Sequence, residues 1–201
     1  MLFITGGALS SLTGCLGAGG TEDTEEHNET EDSADPGGGT TMRSGAINPD
    51  AHYVVKGPEG YFSAKGPWNT DLNGVVIHGY DLVAYFEESR PLVGSEAYEY
   101  EYDGVMFRFA SDSNQERFAA DPTAYLPEFG GYCSLGVGNG YKDGMHPEVF
   151  DILDGKLYFN LTPQIHEGWL QSYEERIETA NANWPDIKGS DEPIHIGPGL
   201  P

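Results

Sequence analysis

Residues 98–109 read YEYEYDGVMFRF, two runs of alternating hydrophobic and polar residues joined by Asp103-Gly104. Asp-Gly is a favoured two-residue turn between antiparallel strands, so this stretch predicts a β-hairpin. Alternation places every second side chain on the same face of a strand. The aromatic face therefore predicts core, and Glu99, Glu101 and Arg108 belong to the opposite face. Across the turn, the pattern pairs Tyr102 with Val105, Tyr100 with Phe107 and Tyr98 with Phe109.

Residues 149–161, VFDILDGKLYFNL, repeat this arrangement around Asp154-Gly155. A second antiparallel hairpin is therefore predicted, and its register is set by the same kind of turn. The residues expected on its hydrophobic face are Phe150, Ile152, Leu157, Phe159 and Leu161.

A long amphipathic helix is predicted directly after the second hairpin. Thr162 is a suitable N-cap, and Pro163 is well tolerated in the first helical turn. We expect the helix to end before Trp184-Pro185, because the residue before a proline disfavours the helical conformation. Its hydrophobic stripe, spaced mostly by four residues, consists of Ile165, Trp169, Tyr173, Ile177 and Ala180.

Two shorter helices are expected at residues 81–87, capped by Asp81, and at residues 113–120, stopped by Asp121-Pro122. Antiparallel hairpins interleaved with helices are typical of the α+β class. The predicted fold is thus α+β, with two antiparallel hairpins whose aromatic faces pack against a C-terminal amphipathic helix and the shorter helices.

The charge of the chain restricts its partners. Ten basic and 33 acidic residues give a net charge of −23. Residues 21–35 hold eight of the acids, so 25 acids still face ten bases in the rest of the chain. Binding to nucleic acid requires clustered Lys and Arg, and this composition excludes it. Salt screens the repulsion between like charges, so a surface this acidic favours adaptation to concentrated salt. A very soluble acidic protein without such adaptation is the alternative.

Residues 1–20 are apolar or small, carry no charge and contain Leu12-Thr13-Gly14-Cys15. This run resembles the lipobox of prokaryotic lipoproteins. The resemblance implies a lipid on Cys15 and a protein that is exported and anchored to the outer face of the cell membrane. The apolar stretch is shorter than a membrane span and fits a signal core. Since the first basic residue is Arg43, we expect a basic segment, of the twin-arginine kind or another, before Met1. An ordinary N-terminal strand or helix is the alternative.

The remaining boundaries follow from composition. Residues 21–48 are acidic and glycine-rich, which predicts a disordered, extended tether. Residues 49–71 lead into the folded part without a clear assignment. The folded domain is expected at residues 72–188, and residues 189–201, rich in Pro and Gly, are expected to form a loose tail.

Several motifs of the folded domain resemble the YHS domain family, in its longer, exported form. The resemblance covers residues 72–188. It rests on GYDLVAYF at 79–86, YDG at 102–104, FRFAS at 107–111, FAADP at 118–122 with Tyr125, GGYC at 130–133, DGKLYFN at 154–160 and the helix between Trp169 and Trp184.

Short YHS domains accompany metal-transporting ATPases and some oxygenases, which implies metal binding through cysteines. The positions of those cysteines correspond here to Ala84, Ala110 and Asn114. Zn and Cu(I) require thiolate or imidazole ligands, so the metal site of the family does not carry over to this chain.

Cys133 is the one cysteine of the predicted domain, and it lies in a run, residues 130–140, that contains five glycines. On an exposed loop, its thiol would bind metal or undergo oxidation. Free cysteines are among the most buried residues, so a packed, inert thiol is the interpretation we favour.

Three histidines are candidate partners of Cys133: His78, His146 and His166. None has the short spacing of a zinc motif. Of these residues, we take Cys133, His78 and His146 as the candidate ligands of a transition metal ion of unknown identity. Asp81 is either a ligand or only the cap of its helix.

The sequence supports three hypotheses about function. The first is a non-catalytic module, displayed outside the cell, that binds a transition metal or a small ligand near Cys133. The second is a thiol-dependent redox or enzyme-accessory protein that uses Cys133. The third is a structural surface protein that binds another protein, for which an exposed apolar patch would be the sign.

Overall fold

The computed structural model describes residues 42–44 and 63–190, and these residues form mixed helices and strands, as the α+β prediction requires. The strands are β1 (Met42–Ser44), β2 (Ser63–Lys65), β3 (Trp68–Thr70), β4 (Ser95–Tyr102), β5 (Val105–Phe109), β6 (Phe150–Leu153) and β7 (Lys156–Phe159). The α-helices are α1 (Leu82–Glu88), α2 (Asp112–Ala120), α3 (Ser134–Gly138), α4 (Pro163–Leu170) and α5 (Tyr173–Ile187). Short 3-10 turns lie at Ile77–Gly79, Pro122–Ala124 and Glu128–Gly131.

Hairpin β4–β5 turns at Asp103-Gly104, as predicted. Both residues have positive φ, 51° and 74°, which is the conformation that a type I′ turn requires. The two predicted pairs next to the turn are formed: Tyr102 with Val105 and Tyr100 with Phe107. The predicted pair of Tyr98 with Phe109 is wrong. The register shifts between Ser95 and Glu99, and Ser95 becomes the partner of Phe109.

The aromatic face of β4–β5 is part of the core, as the alternation predicts. The β5 residues Val105, Phe107 and Phe109 are buried, and the tyrosines of β4 are half-buried against the same cluster. On the opposite face, Arg108 donates to a carboxylate oxygen of Glu99 at 2.8 Å.

Hairpin β6–β7 has the predicted register but buries both of its faces. Phe150 pairs with Phe159 and Ile152 with Leu157. All four belong to the hydrophobic cluster that also contains Val105, Phe107 and Phe109, which we call the first cluster. The opposite face, which alternation assigns to solvent, carries buried Asp151, Leu153 and Tyr158. Leu153 and Tyr158 belong to a second cluster with Trp169. The hairpin therefore separates two cores.

Ordered structure also begins earlier than residue 72. Strand β1 pairs antiparallel with β6, which gives a three-stranded sheet of order β1-β6-β7. It lies within residues 21–48, for which a disordered tether was predicted. Strands β2 and β3 form a hairpin within residues 49–71, the stretch without an assignment.

The predicted long helix is two helices. Thr162 caps α4 through its hydroxyl, which accepts from Ile165 N, but the helix ends at Leu170 and α5 starts at Tyr173. Ser172, at the break, adopts a non-helical φ of −154°. The prediction that the helix ends before Trp184-Pro185 is also wrong, since α5 continues to Ile187. Pro185 and Asn181, four residues earlier, are both exposed, so water can bond the carbonyl that a proline leaves unpaired.

The two shorter helices are shifted from the prediction by one residue at most. Helix α1 starts after Asp81, its N-cap, and helix α2 starts after Ser111, whose hydroxyl accepts from Asn114 N. Within the described part of the chain, no helix has both the length and the hydrophobicity to cross a membrane.

Replacing Gly130 by alanine should destabilise the fold more than replacing Gly155. Both glycines have positive φ, 59° and 77°, so alanine meets similar strain of roughly 1–2 kcal/mol at each. Only at Gly130 does the added Cβ collide, 1.6 Å from the carbonyl oxygen of Pro67; at Gly155 nothing lies within 4 Å. Urea unfolding should give a free energy of unfolding lower by about 2 kcal/mol or more for Gly130→Ala than for Gly155→Ala. Equal losses would contradict this account.

Candidate functional site

Asp81 is fully buried, and both of its carboxylate oxygens are engaged. Oδ1 accepts from the backbone N–H groups of Val83 at 2.9 Å and Ala84 at 3.3 Å, as an N-cap does. Oδ2 accepts from Ala110 N at 2.8 Å and from Asn114 Nδ2 at 2.7 Å. The predicted cap is confirmed, and four donors surround the carboxylate.

The donors on Asp81 include the three positions that the YHS resemblance assigns to metal-binding thiols. Ala84 comes from α1, Ala110 follows β5, and Asn114 comes from α2, yet all three meet at one carboxylate. None carries a thiolate or imidazole, so the cluster cannot hold a soft metal. The Asp81 carboxylate instead links the three elements through hydrogen bonds.

Cys133 is buried, with 1% of its surface exposed, so the favoured interpretation of this residue is confirmed. It lies directly before α3, and its Sγ donates to Asn160 Oδ1 at 3.6 Å. Burial raises the pKa of the thiol to about 11 and outweighs the opposing effect of backbone N–H groups at Gly136, Leu161 and Leu135. The thiol is therefore protonated at neutral pH, a state with low reactivity.

His78 has a neutral ring whose tautomer follows from its neighbour. Asn69 Nδ2 donates to Gly131 O at 3.0 Å, which leaves Asn69 Oδ1 as the acceptor 3.1 Å from His78 Nε2. This arrangement assigns the proton to Nε2. Burial lowers the pKa of His78 to about 3, so the ring stays neutral at pH 7. Nε2 is a donor to the protein and does not act as a metal ligand in this arrangement.

His146 is the same tautomer as His78, but it is fixed through the other ring nitrogen. Its Nδ1 accepts from the backbone N–H of Glu148 at 3.2 Å. Burial lowers the pKa of His146 to about 4, so the neutral ring carries its proton on Nε2. Metal binding through Nε2 would require that proton to move to Nδ1 and the bond from Glu148 to break.

The structure does not bring the three candidate ligands Cys133, His78 and His146 together as a metal site. Among residues 42–44 and 63–190, no group of three His, Cys, Asp or Glu side chains is arranged to hold a metal ion. Cys15, the expected lipidation site, lies outside the described residues.

A buried His–Asp pair was missed by the sequence analysis. His166 Nε2 lies 2.6 Å from Asp151 Oδ2, both side chains are buried, and the imidazole stacks on Trp169 with an interplanar angle of 20°. His166, a candidate partner of Cys133, thus pairs with a strand residue instead. The sequence does not indicate this pair, because Asp151 alternates with hydrophobic residues, a pattern that is typical of a solvent-facing position in a strand.

Lys142 is a second buried group that the sequence did not indicate. Its Nζ donates to three backbone carbonyls, those of Gly66 at 2.7 Å, Lys188 at 2.9 Å and Ser190. The ammonium also lies 5.2 Å from the ring centroid of Tyr132. Lys142 therefore holds the end of α5 against the turn between β2 and β3.

A surface cleft of about 260 Å³ lies between α3 and the first turns of α5. One wall contains Leu135, Gly138 and Asn139, and the other contains Ser172, Glu175, Arg176 and Thr179. None of these residues stands out in the sequence as functional, because residue patterns do not predict the break that places Ser172 between two helices.

Comparisons with known proteins provide no further assignment. No protein-family model matches the sequence, and searches of curated proteins and of solved structures found no match either.

The low pKa of His78 predicts a pH-dependent stability. The folded state keeps the ring neutral down to about pH 3, whereas the unfolded chain takes up a proton near pH 6.5. The contribution of His78 is complete above pH 6.5 and is lost as the pH falls from 6.5 towards 3. His78→Asn removes the titration and tolerates the positive φ of 53°. Between pH 7 and pH 4, the wild type should lose at least ~1 kcal/mol more free energy of unfolding than the variant in urea titrations. Parallel pH curves would refute this assignment.

Proposed function

We propose that this chain is a non-catalytic binding module of the YHS-domain type that takes a small organic ligand. The observation that carries the proposal is the state of Cys133, which is buried and has a pKa raised to about 11. A cysteine acts as a nucleophile or a metal ligand in its thiolate form. Because Cys133 is held in the neutral form, a role in packing is favoured over redox or nucleophilic chemistry at neutral pH.

A small molecule is favoured over a metal ion as the ligand. His78 and His146 each use one ring nitrogen in a hydrogen bond within the fold, and the described residues form no three-ligand group. By contrast, the cleft between α3 and α5 is open to solvent and has room for about eight or nine water molecules.

The relation to the YHS family is also a proposal, and the surroundings of Asp81 support it. Positions that share one metal ion in a family must be neighbours in its fold. Ala84, Ala110 and Asn114, which the resemblance assigns to such positions, all donate to the Asp81 carboxylate.

The location of the module is proposed from the lipobox-like run that ends at Cys15. A diacylglycerol on this cysteine would hold the domain at the outer face of the membrane. Two acyl chains suffice for stable anchoring, so no membrane-spanning helix is required.

The thiol of Cys133 should be almost unreactive in the native protein. A Cys15→Ser variant leaves Cys133 as the single cysteine of the chain. At pH 8, the raised pKa alone makes its reaction with Ellman's reagent about 100-fold slower than after denaturation in guanidinium, and burial slows it further. Equal rates in the native and denatured states would refute the non-catalytic assignment and favour the thiol-dependent alternative.

Replacing Cys15 by serine should release the protein from the membrane. Expressed with a basic signal segment added before Met1, in a prokaryotic host that exports and lipidates such proteins, the wild type is expected in the detergent phase of a Triton X-114 partition and Cys15→Ser in the aqueous phase. Cys133→Ala is the matched control and should stay in the detergent phase. A wild-type protein found in the aqueous phase would contradict lipid anchoring.

A further inference from the structure

Arg176 has an unusual environment for a chain with so few basic residues. Its Nε donates to Ser172 Oγ at 3.0 Å, but its terminal guanidinium nitrogens bond to none of the described residues. Arg90, Arg108 and Arg117 each form an ion pair with a glutamate. Arg176 is half-buried in the cleft wall, and no acid within residues 63–190 forms such a pair with it. The fork of the guanidinium is therefore available to a ligand.

Ser172 fixes the direction of this guanidinium. It is the N-cap residue of α5, its side chain makes no capping bond, and its hydroxyl accepts from Arg176. The planar guanidinium is restrained at Nε, so its two outer nitrogens form an oriented pair of donors. That geometry matches a carboxylate, which binds such a fork through two parallel hydrogen bonds.

Glu175 lines the same cleft and supplies the opposite charge. Its carboxylate is exposed, and it forms no ion pair with Arg176 or with any other described residue. A cleft that shows a cation and an anion, not paired with each other, is complementary to a ligand that carries both charges. Leu135 on the facing wall offers an apolar contact to the side chain of such a ligand.

We propose that the cleft between α3 and α5 binds a small α-amino acid as its zwitterion. The ligand carboxylate bonds the Arg176 fork, the ligand ammonium faces Glu175, and a small side chain contacts Leu135. The volume of about 260 Å³ accommodates alanine with its first water molecules. This inference rests on the proposed binding function and specifies the chemistry of the ligand.

Calorimetric titration of the full chain with L-alanine tests the site. In ~1 M KCl, where the Debye length is about 3 Å, long-range attraction is screened and contact interactions remain. Saturable binding at one site is expected. Arg176→Gln should weaken the affinity at least 10-fold, and Arg90→Gln, which removes an exposed arginine elsewhere, should leave it unchanged. Acetate and methylammonium, which each carry one of the two charges, should bind at least 10-fold more weakly than alanine.

Several outcomes would overturn the inference: no saturable heat with alanine, equal effects of Arg176→Gln and Arg90→Gln, or acetate binding as tight as that of alanine. If Arg176→Gln does not fold, Glu175→Gln carries the test, because that side chain is exposed, and an unchanged affinity in it would overturn the proposal. If alanine does not bind and Cys133 is unreactive, the amino-acid site is refuted but the non-catalytic module is not. If the native thiol is reactive, the proposal of a non-catalytic module is refuted, whereas the proposal for this cleft is not affected.

Discussion

Hairpin β6–β7 is buried on both faces, and the two hydrophobic clusters of the described domain depend on this arrangement. On one face, the rings of Phe150 and Phe159 pack edge-on against Tyr85, with centroids 4.7 and 5.2 Å apart. On the other face, Tyr158 packs against Trp169 at 5.8 Å. Full burial of one large apolar side chain contributes about 1.5–3 kcal/mol. Because both clusters draw on the same four-residue strands, a disturbance of this hairpin would destabilise both.

Burial of the second face also explains why polar groups on or near it bond to one another within the fold. Asp151 and Asn160 lie on or next to the hairpin and are fully buried, and a buried polar group without a partner costs about 1–3 kcal/mol. His166 supplies the partner of Asp151, and the thiol of Cys133 donates to Asn160. Cys133 and its candidate partner His166 are thus bonded to buried polar residues on or next to the hairpin.

Local chemistry was sufficient to predict much of the fold. Asp103-Gly104 and Asp154-Gly155 determine two tight turns, and the pairs next to each turn follow from them. Helix starts were predictable where one side chain caps the backbone, as at Asp81. The pairing of β1 with β6 was missed because it joins residues far apart in the chain. The register shift of β4 lies within its own hairpin, at the end away from the turn, where the turn residues no longer determine the pairing. Alternation along a strand indicates one hydrophobic face and assigns the other face to solvent. The sequence around Asp151 therefore does not predict that its side chain is buried.

The break between α4 and α5, where the sequence predicts one continuous helix, also shapes the proposed site. A stripe from Ile165 to Ala180 fits one continuous helix, in which Ser172 would be an interior residue. In the structure the chain leaves the helical conformation at Ser172, so its hydroxyl can hold Arg176 instead of competing with the helix backbone. After the break α5 runs beside α3, and in its C-terminal half Asn183 Nδ2 donates to the carbonyls of Val137 and Gly138 at 3.1 and 2.9 Å. Functional sites often lie where local preference and tertiary structure disagree, because local sequence preference is otherwise consistent with the fold. Here the disagreement leaves an oriented guanidinium in a cleft, which residue patterns in an acidic helix do not reveal.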